Sequence, residues 1–195
     1  MMGQPPAEAS HRLKVGDRFP RLTLAVAIGG DVALPPAHGY VHLQLRRFAG
    51  CMVCNVHLRQ VVRRLPEIQS AGVKEVIVFH STRQEVIRHE GELPLTVVAD
   101  PTKNLYRRFG VERSGMALVR AWRTLPKALG WAAVTAARTR QLPPLTPTGG
   151  ELGRPADILI GASGKVVAVK YGTHAADQWS VDELLRIVAS DSDAS

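Results

Sequence analysis

The 195-residue chain is poor in cysteine, with Cys51 and Cys54 as its whole supply. One C-x-x-C leaves no second pair from which to build a disulfide framework, so the pair reads as chemical or metal-binding and not as a structural staple. Uninterrupted apolar runs of about 18 residues are also missing, which removes the usual signature of a spanning helix. Met1 to Ser10 has neither the basic flank nor the apolar core of a secretory leader, and the expected location is the cytoplasm. No internal repeat is visible. Acids are absent from Ser114 to Gly150, where Arg120, Arg123, Lys127, Arg138 and Arg140 account for five of the eight excess positive charges.

What is present is ordinary globular composition, 45% hydrophobic and 22% charged, and the length fits one domain of the usual ~100 to 200 residues. The expected organisation is a tail at 1–12, a domain at 13–190 carrying an inserted segment at 114–150, and a tail at 191–195. A net charge of +8 favours anionic partners in general. It is not by itself a reason to expect nucleic acid, and neither nucleic-acid binding nor membrane contact is expected.

The most informative stretch runs from Arg46 to Asn55. Val41 to Leu45 alternates apolar and polar residues as a strand does, while Val53, Val56, Val61, Leu65 and Ile68 recur at roughly helical spacing. A strand therefore hands Cys51 to a helix N-terminus, where unpaired N–H groups and the positive end of the dipole favour a thiolate. Cys54 lies one turn further along the same face, within reach of a disulfide, which makes Cys51 the candidate nucleophile and Cys54 the resolving thiol. That chemistry requires the two sulfurs to share one side of the molecule.

The remaining elements follow from local signals. Leu22 to Val26 and Val32 to Leu34 flank Gly29-Gly30-Asp31 as a hairpin. Pro66 predicts a break near Leu65, and Gly72 a stop. Lys74 to Phe79 and Leu95 to Ala99 read as strands, with a helix between them opened by a Thr82/Glu85 capping box and closed at Gly91. Asp100-Pro101 reads as N-cap and first residue of a helix that stops at Gly110. Asp157 to Ile160 and Val166 to Val169 form a second hairpin, and Ser180/Glu183 caps a last helix through Ala189. This order is that of an α/β sheet covered on both sides.

On four local matches the chain resembles the thioredoxin-fold peroxiredoxins, in particular peroxiredoxin-like proteins of the alkyl hydroperoxide reductase and thiol-specific antioxidant type. They are Val15-Gly16-Asp17 with Pro20, the Arg-Arg-x-x-Gly-Cys-x-x-Cys segment from Arg46, Ala99-Asp100-Pro101 with Tyr106 to Val111, and Pro155 with Gly164 to Val167. The resemblance implies a thioredoxin-like α/β fold, a central mixed β-sheet flanked by helices, with an N-terminal β-hairpin and a helical insertion before the last hairpin. It implies an antioxidant oxidoreductase that needs no cofactor, acts on a peroxide or disulfide, and is recycled by an external dithiol reductant, either thioredoxin-like or a low-molecular-weight thiol. A homodimer is admitted. Such proteins carry a proline and a hydroxyl residue seven and three positions before the reacting cysteine, where this chain has Gln44 and Phe48. Pro155 stands where thioredoxin-like proteins place a cis-proline facing the thiols.

Around the two thiols, Phe48, Gly50, Arg47, Arg154 and Pro155 are the candidates for binding substrate or stabilising thiolate. Arg46 and Arg47 alternate faces, so only one of them points to the sulfur side. Two other functions stay open. Cys51, Cys54 and His57 succeed one another at i+3 spacing and could ligate zinc or copper. The basic segment 114–150, with Met116, Leu118, Trp122 and Leu125 among its apolar positions, could be an amphipathic docking element. His42, His80, His89 and His174 read as ordinary polar positions.

Overall fold

The computed structural model describes residues 11–111 and 154–192, except the side chains of Met52 and Val53. Residues 1–10 of the tail expected at 1–12, and the insertion at 114–150, lie outside the described residues. Among those described, His11 N–H donates to the Arg108 carbonyl and the Arg12 guanidinium sits 4.8 Å from the centre of the Tyr171 ring, so the chain is already anchored there.

Among the described residues, seven strands and five helices follow in order: β1 Leu22–Ala25, β2 Asp31–Leu34, β3 Tyr40–Leu45, α1 Met52–Arg63, α2 Leu65–Ser70, β4 Val73–Phe79, α3 Arg83–Glu90, β5 Thr96–Ala99, α4 Asn104–Arg108, β6 Ala156–Gly161, β7 Val166–Tyr171 and α5 Val181–Ser192. β1 and β2 form the expected antiparallel hairpin. The other five make one mixed sheet in the order β5-β4-β3-β6-β7, with β3, β4 and β5 parallel and β6 and β7 antiparallel to their neighbours. This is the α/β architecture expected from the order of elements. β3 is central, so whatever follows its C-terminal end sits over the middle of the molecule.

The period-2 pattern decides which side each residue serves. Val41, Leu43 and Leu45 pack with Val76, Val78, Ile158 and Ile160 against Phe19 and Phe109. On the opposite face, Leu58 and Val61 of α1 and Val181, Leu184 and Val188 of α5 cover the sheet with Ile77, Phe79 and Leu159. Each fully buried aliphatic side chain contributes about 1.5–3 kcal/mol. The two thiols belong to that second face.

Most local signals act as expected. Thr82 and Glu85 exchange both bonds of a capping box, as do Ser180 and Glu183. Pro66 sits in the first turn of α2, where its missing N–H has no helical partner to lose, and the break falls at Arg64. Two expectations need correction. α5 continues past Ala189 to Ser192, because Tyr40 Oη donates to Asp191 at 2.9 Å and holds the last turn against β3. Asp100 is not the residue preceding α4: Pro101 and Thr102 form a turn, Lys103 adopts a left-handed φ of 58°, and the helix opens at Asn104. The Asp100 carboxylate still serves that end from four residues upstream, accepting from the Asn104 and Leu105 N–H groups at 2.9 and 2.8 Å.

Candidate active site

β3 ends at Leu45, the ladder continues through Arg46 N–H to the Val78 carbonyl at 2.8 Å, and the chain turns at Gly50 with φ +81°. That left-handed φ is open to glycine at little cost and strained for other residues. Cys51 then stands as the N-cap of α1, with extended φ and ψ, and Cys54 follows in the first turn. Both are reduced and buried, 4% and 1% exposed, and they share one apolar cluster with Leu58, Ile77, Phe79 and Val86. The two sulfurs therefore lie on the same side, as the chemistry requires.

Their protonation is unequal. Cys54 is pushed well above the ordinary thiol value, first by its hydrogen bond to Cys51, then by burial and by the negative charge of Cys51. The Arg47 main-chain N–H and the Arg46 guanidinium oppose this more weakly. The proton is thus held on Cys54, while Cys51 stands at the positive end of α1, a position that favours a thiolate over a thiol.

Arg46 and Arg47 do divide between two faces. The Arg46 side chain is fully buried, donating to Asp157 at 2.6 Å and to Gln44 at 2.9 Å, and its charge reaches Cys54. The Arg47 guanidinium instead lies 5.4 Å from the centre of the Phe48 ring, and its contribution to Cys54 is made by the backbone. Phe48 is half-buried, its ring edge-on to His80, which in turn stands edge-on to Tyr106. The Tyr106 hydroxyl donates to the carbonyls of Arg46 and Val78 and is held well above the ordinary phenol value by burial, Asp100 and Cys54. Gly50 N–H donates to Glu90 Oε1 at 2.9 Å.

Pro155 is buried, and its carbonyl accepts from Gly172 N–H at 2.8 Å; Arg154 before it is partly buried. Because Ala156 pairs with Leu45, Pro155 lies at the end of the sheet from which the Cys51 turn departs. Its peptide bond is not cis: among the described residues that geometry occurs at Leu34–Pro35.

Several participants escaped the sequence reading. His42, Gln44 and Arg46 occupy one face of β3 and meet Glu75 and Asp157 from the strands on either side. His42 Nδ1 lies 3.1 Å from Glu75 Oε1, and its Nε2 lies 3.1 Å from Asp157 Oδ1. Burial alone would pull His42 down, but Glu75 and Asp157 outweigh it and raise it from 6.5 to about 9. Asp157 goes below the usual carboxylate range, since Arg46 and His42 overcome its burial. A buried cluster of two cations and two anions thus lies under α1. The available signal was three polar residues at alternate positions of a strand that is central and covered on both faces.

His57 sits on the same buried side and falls to about 3, through burial first and then the charge of Arg46, so it is neutral near pH 7. Among the described residues no three His, Cys, Asp or Glu side chains form a metal-holding group, and Cys51, Cys54 and His57 do not make one. No helix among them is long and apolar enough to cross a membrane.

Compared with known proteins, residues 15–169 match the AhpC/TSA family. No curated protein matches. Solved structures with the same fold include a reduced 2-Cys peroxiredoxin of Plasmodium vivax, 16% identical, with 92% of this chain and 82% of that one covered and a TM-score of 0.65. AhpC of Mycobacterium tuberculosis is 12% identical over 94% and 95% of the two chains, TM-score 0.65. Peroxidoxin BcpB of the same organism is 15% identical over 92% and 98%, TM-score 0.64.

Proposed function

The chain belongs to the AhpC/TSA family and is a peroxiredoxin-like oxidoreductase, and from that premise we propose that Cys51 and Cys54 are its working dithiol. The observation that carries the assignment is the Cys54 thiol hydrogen-bonded to Cys51 at the N-cap of α1. Cys51 thiolate attacks the terminal oxygen of a hydroperoxide; the O–O bond breaks, the alcohol or water departs, and Cys51 becomes a sulfenic acid. Cys54 then attacks that sulfur, water leaves, and the Cys51–Cys54 disulfide forms. An external dithiol returns both sulfurs to the reduced state, which makes a thioredoxin-like protein or a small thiol the partner.

A second substrate class, a protein or small-molecule disulfide, is favoured by Phe48, which supplies an aromatic face where a peroxide pocket would carry a hydroxyl. The Ser81 hydroxyl nearby is engaged by Ala49 N–H at 3.0 Å. The deciding experiment mixes reduced protein with hydrogen peroxide or with a model disulfide and maps the products by mass spectrometry. A Cys51–Cys54 bond formed at the rate of oxidant loss, abolished in Cys51→Ser and arrested at sulfenic acid in Cys54→Ser, is the expected result. Reduced protein that consumes neither oxidant would overturn the proposal.

A further inference from the structure

Glu90 is an acid that the steps above leave unused, yet the fold brings it beside the reacting pair. It is the last residue of α3 and 3% exposed, a depth at which a glutamate is rarely found without partners. Gly50 N–H donates to its Oε1 at 2.9 Å, and the Asn55 amide, in the orientation that turns its nitrogen rather than its oxygen to the carboxyl, donates to the two oxygens at 3.0 and 3.1 Å. Gly50 immediately precedes Cys51 and Asn55 follows it by one helical turn on the same face, so the carboxyl is bracketed against the first turn of α1.

The approach is enforced by packing. A Cβ on Gly50 would meet the His89 ring at 3.2 Å, so the end of α3 is pressed onto this turn. Both donors to Glu90 are uncharged. The charged and titratable groups acting on it are Cys51, whose negative charge disfavours the carboxylate, and Arg59 of α1, which favours it weakly; His89 adjoins through Gly50. Burial first, and Cys51 after it, raise Glu90 to about 7 against the pull of the Gly50 N–H. On its other side Glu90 lines a groove of about 350 Å³ between the end of the first hairpin, α3 and β5, with Val26, Val86, Leu93 and Val97 among its neighbours. It is the ionisable residue of that lining, and its carboxyl stands between the groove and the turn that carries Cys51.

Building on the thiol chemistry above, we propose that Glu90 carries the proton of Cys51, taking it as the sulfur is activated and delivering it to the oxygen that leaves when the peroxide bond breaks. In the first step Cys51–SH and Glu90–COO⁻ become Cys51–S⁻ and Glu90–COOH. The sulfur electron pair then forms the S–O bond, the O–O pair departs with the leaving oxygen, and Glu90–COOH protonates it. The sum is thiol plus hydroperoxide to sulfenic acid plus alcohol, or water when the oxidant is hydrogen peroxide, with no net proton. Sulfur gives up two electrons and the O–O bond receives them. The same carboxylate is a negative neighbour of the thiolate, which makes its removal diagnostic.

The test compares the full chain with Glu90→Gln and Glu90→Asp, following iodoacetamide alkylation of Cys51 against pH and the reaction with hydrogen peroxide by stopped flow. In Glu90→Gln the alkylation midpoint moves to lower pH because the opposing charge is gone. The peroxide rate per thiolate nevertheless falls by at least ~100-fold, the lower end of what a positioned acid contributes, and the inflection near pH 7 disappears. Glu90→Asp restores part of both. A purely structural glutamate would not make the thiol more acidic while slowing its oxidation.

An alkylation midpoint that stays put, or a peroxide rate set by thiolate fraction alone in every variant, overturns the assignment of Glu90 and leaves the dithiol reading standing. Native protein that alkylates normally but ignores hydrogen peroxide sinks the peroxidase reading and the delivery step with it. Should Glu90→Gln not fold, carboxyl-labelled glutamate in the native protein gives the answer by NMR. The Glu90 titration moves to lower pH once the thiols are oxidised, and a titration unmoved by oxidation overturns the proposal.

Discussion

Replacing Arg46 by methionine keeps most of the side-chain volume but removes one of four buried charges. Arg46 and protonated His42 supply two positive charges, and Glu75 and Asp157 supply two negative ones, so the cluster is neutral at pH 7. The variant leaves one negative charge uncompensated under α1. Removing one partner of a buried ion pair costs about 3–5 kcal/mol, a large part of the roughly 5–15 kcal/mol that holds a domain folded. The lost van der Waals contacts of the guanidinium are a smaller effect. Adding Asp157→Leu to Arg46→Met removes the orphaned carboxylate and leaves His42 with Glu75 as a neutral pair. The double variant is therefore more stable than Arg46→Met alone, with a coupling of about 2 kcal/mol or more. Urea unfolding of the reduced parent, Arg46→Met, Asp157→Leu and the double variant at pH 7, read from midpoints at constant m-value, measures the coupling. Arg46→Met within about 1 kcal/mol of the parent, or single-variant losses that simply add, would refute the picture of a neutral buried cluster.

The same cluster sets an alkaline limit on stability. His42 holds its proton to about 9 in the folded protein and to 6.5 unfolded, so its contribution is complete below 6.5 and drains away as pH rises through 9. That contribution is about 3 kcal/mol, and urea midpoints from pH 6 to 10 flatten in His42→Gln. His57 acts with the opposite sign: folded at about 3, it contributes above 6.5 and loses that contribution as pH falls, so His57→Leu flattens the acid limb. Gly50→Ala forces an L side chain to φ +81° and against the His89 ring, costing about 1–2 kcal/mol in the unfolding free energy. It also pulls the Gly50 N–H from Glu90, so its Cys51 alkylation profile changes. Thr82→Ala removes one half of the α3 capping box and costs about 1 kcal/mol, seen in the same denaturation series.

The elements legible in the sequence share one property: each is specified by residues a few positions apart. The thiol turn, both S/T-x-x-E boxes, the Gly29-Gly30 hairpin and the Pro66 break are of this kind, and all appear as read. α4 shows where short-range reading fails. Asp100 does cap it, but through a turn that Lys103 completes in a left-handed conformation, which no cap rule for adjacent residues anticipates.

The active turn shows the same division. Adjacent residues determine that Cys51 begins a helix and that Cys54 follows one turn later, because helix geometry is set locally by backbone bonding. They do not determine what surrounds the sulfurs. His42, Gln44 and Arg46 look like the wet side of a half-exposed strand until β4 and β6 flank it and two helices cover it. His42 meets Glu75 and Asp157 from 33 and 115 residues away, and Gly50 meets Glu90 from 40. Spacing cannot encode such meetings. Charge in a low-dielectric interior is stable only where opposite charge or donors converge on it, and that convergence exists only once the sheet has assembled and α3 has packed against the thiol turn.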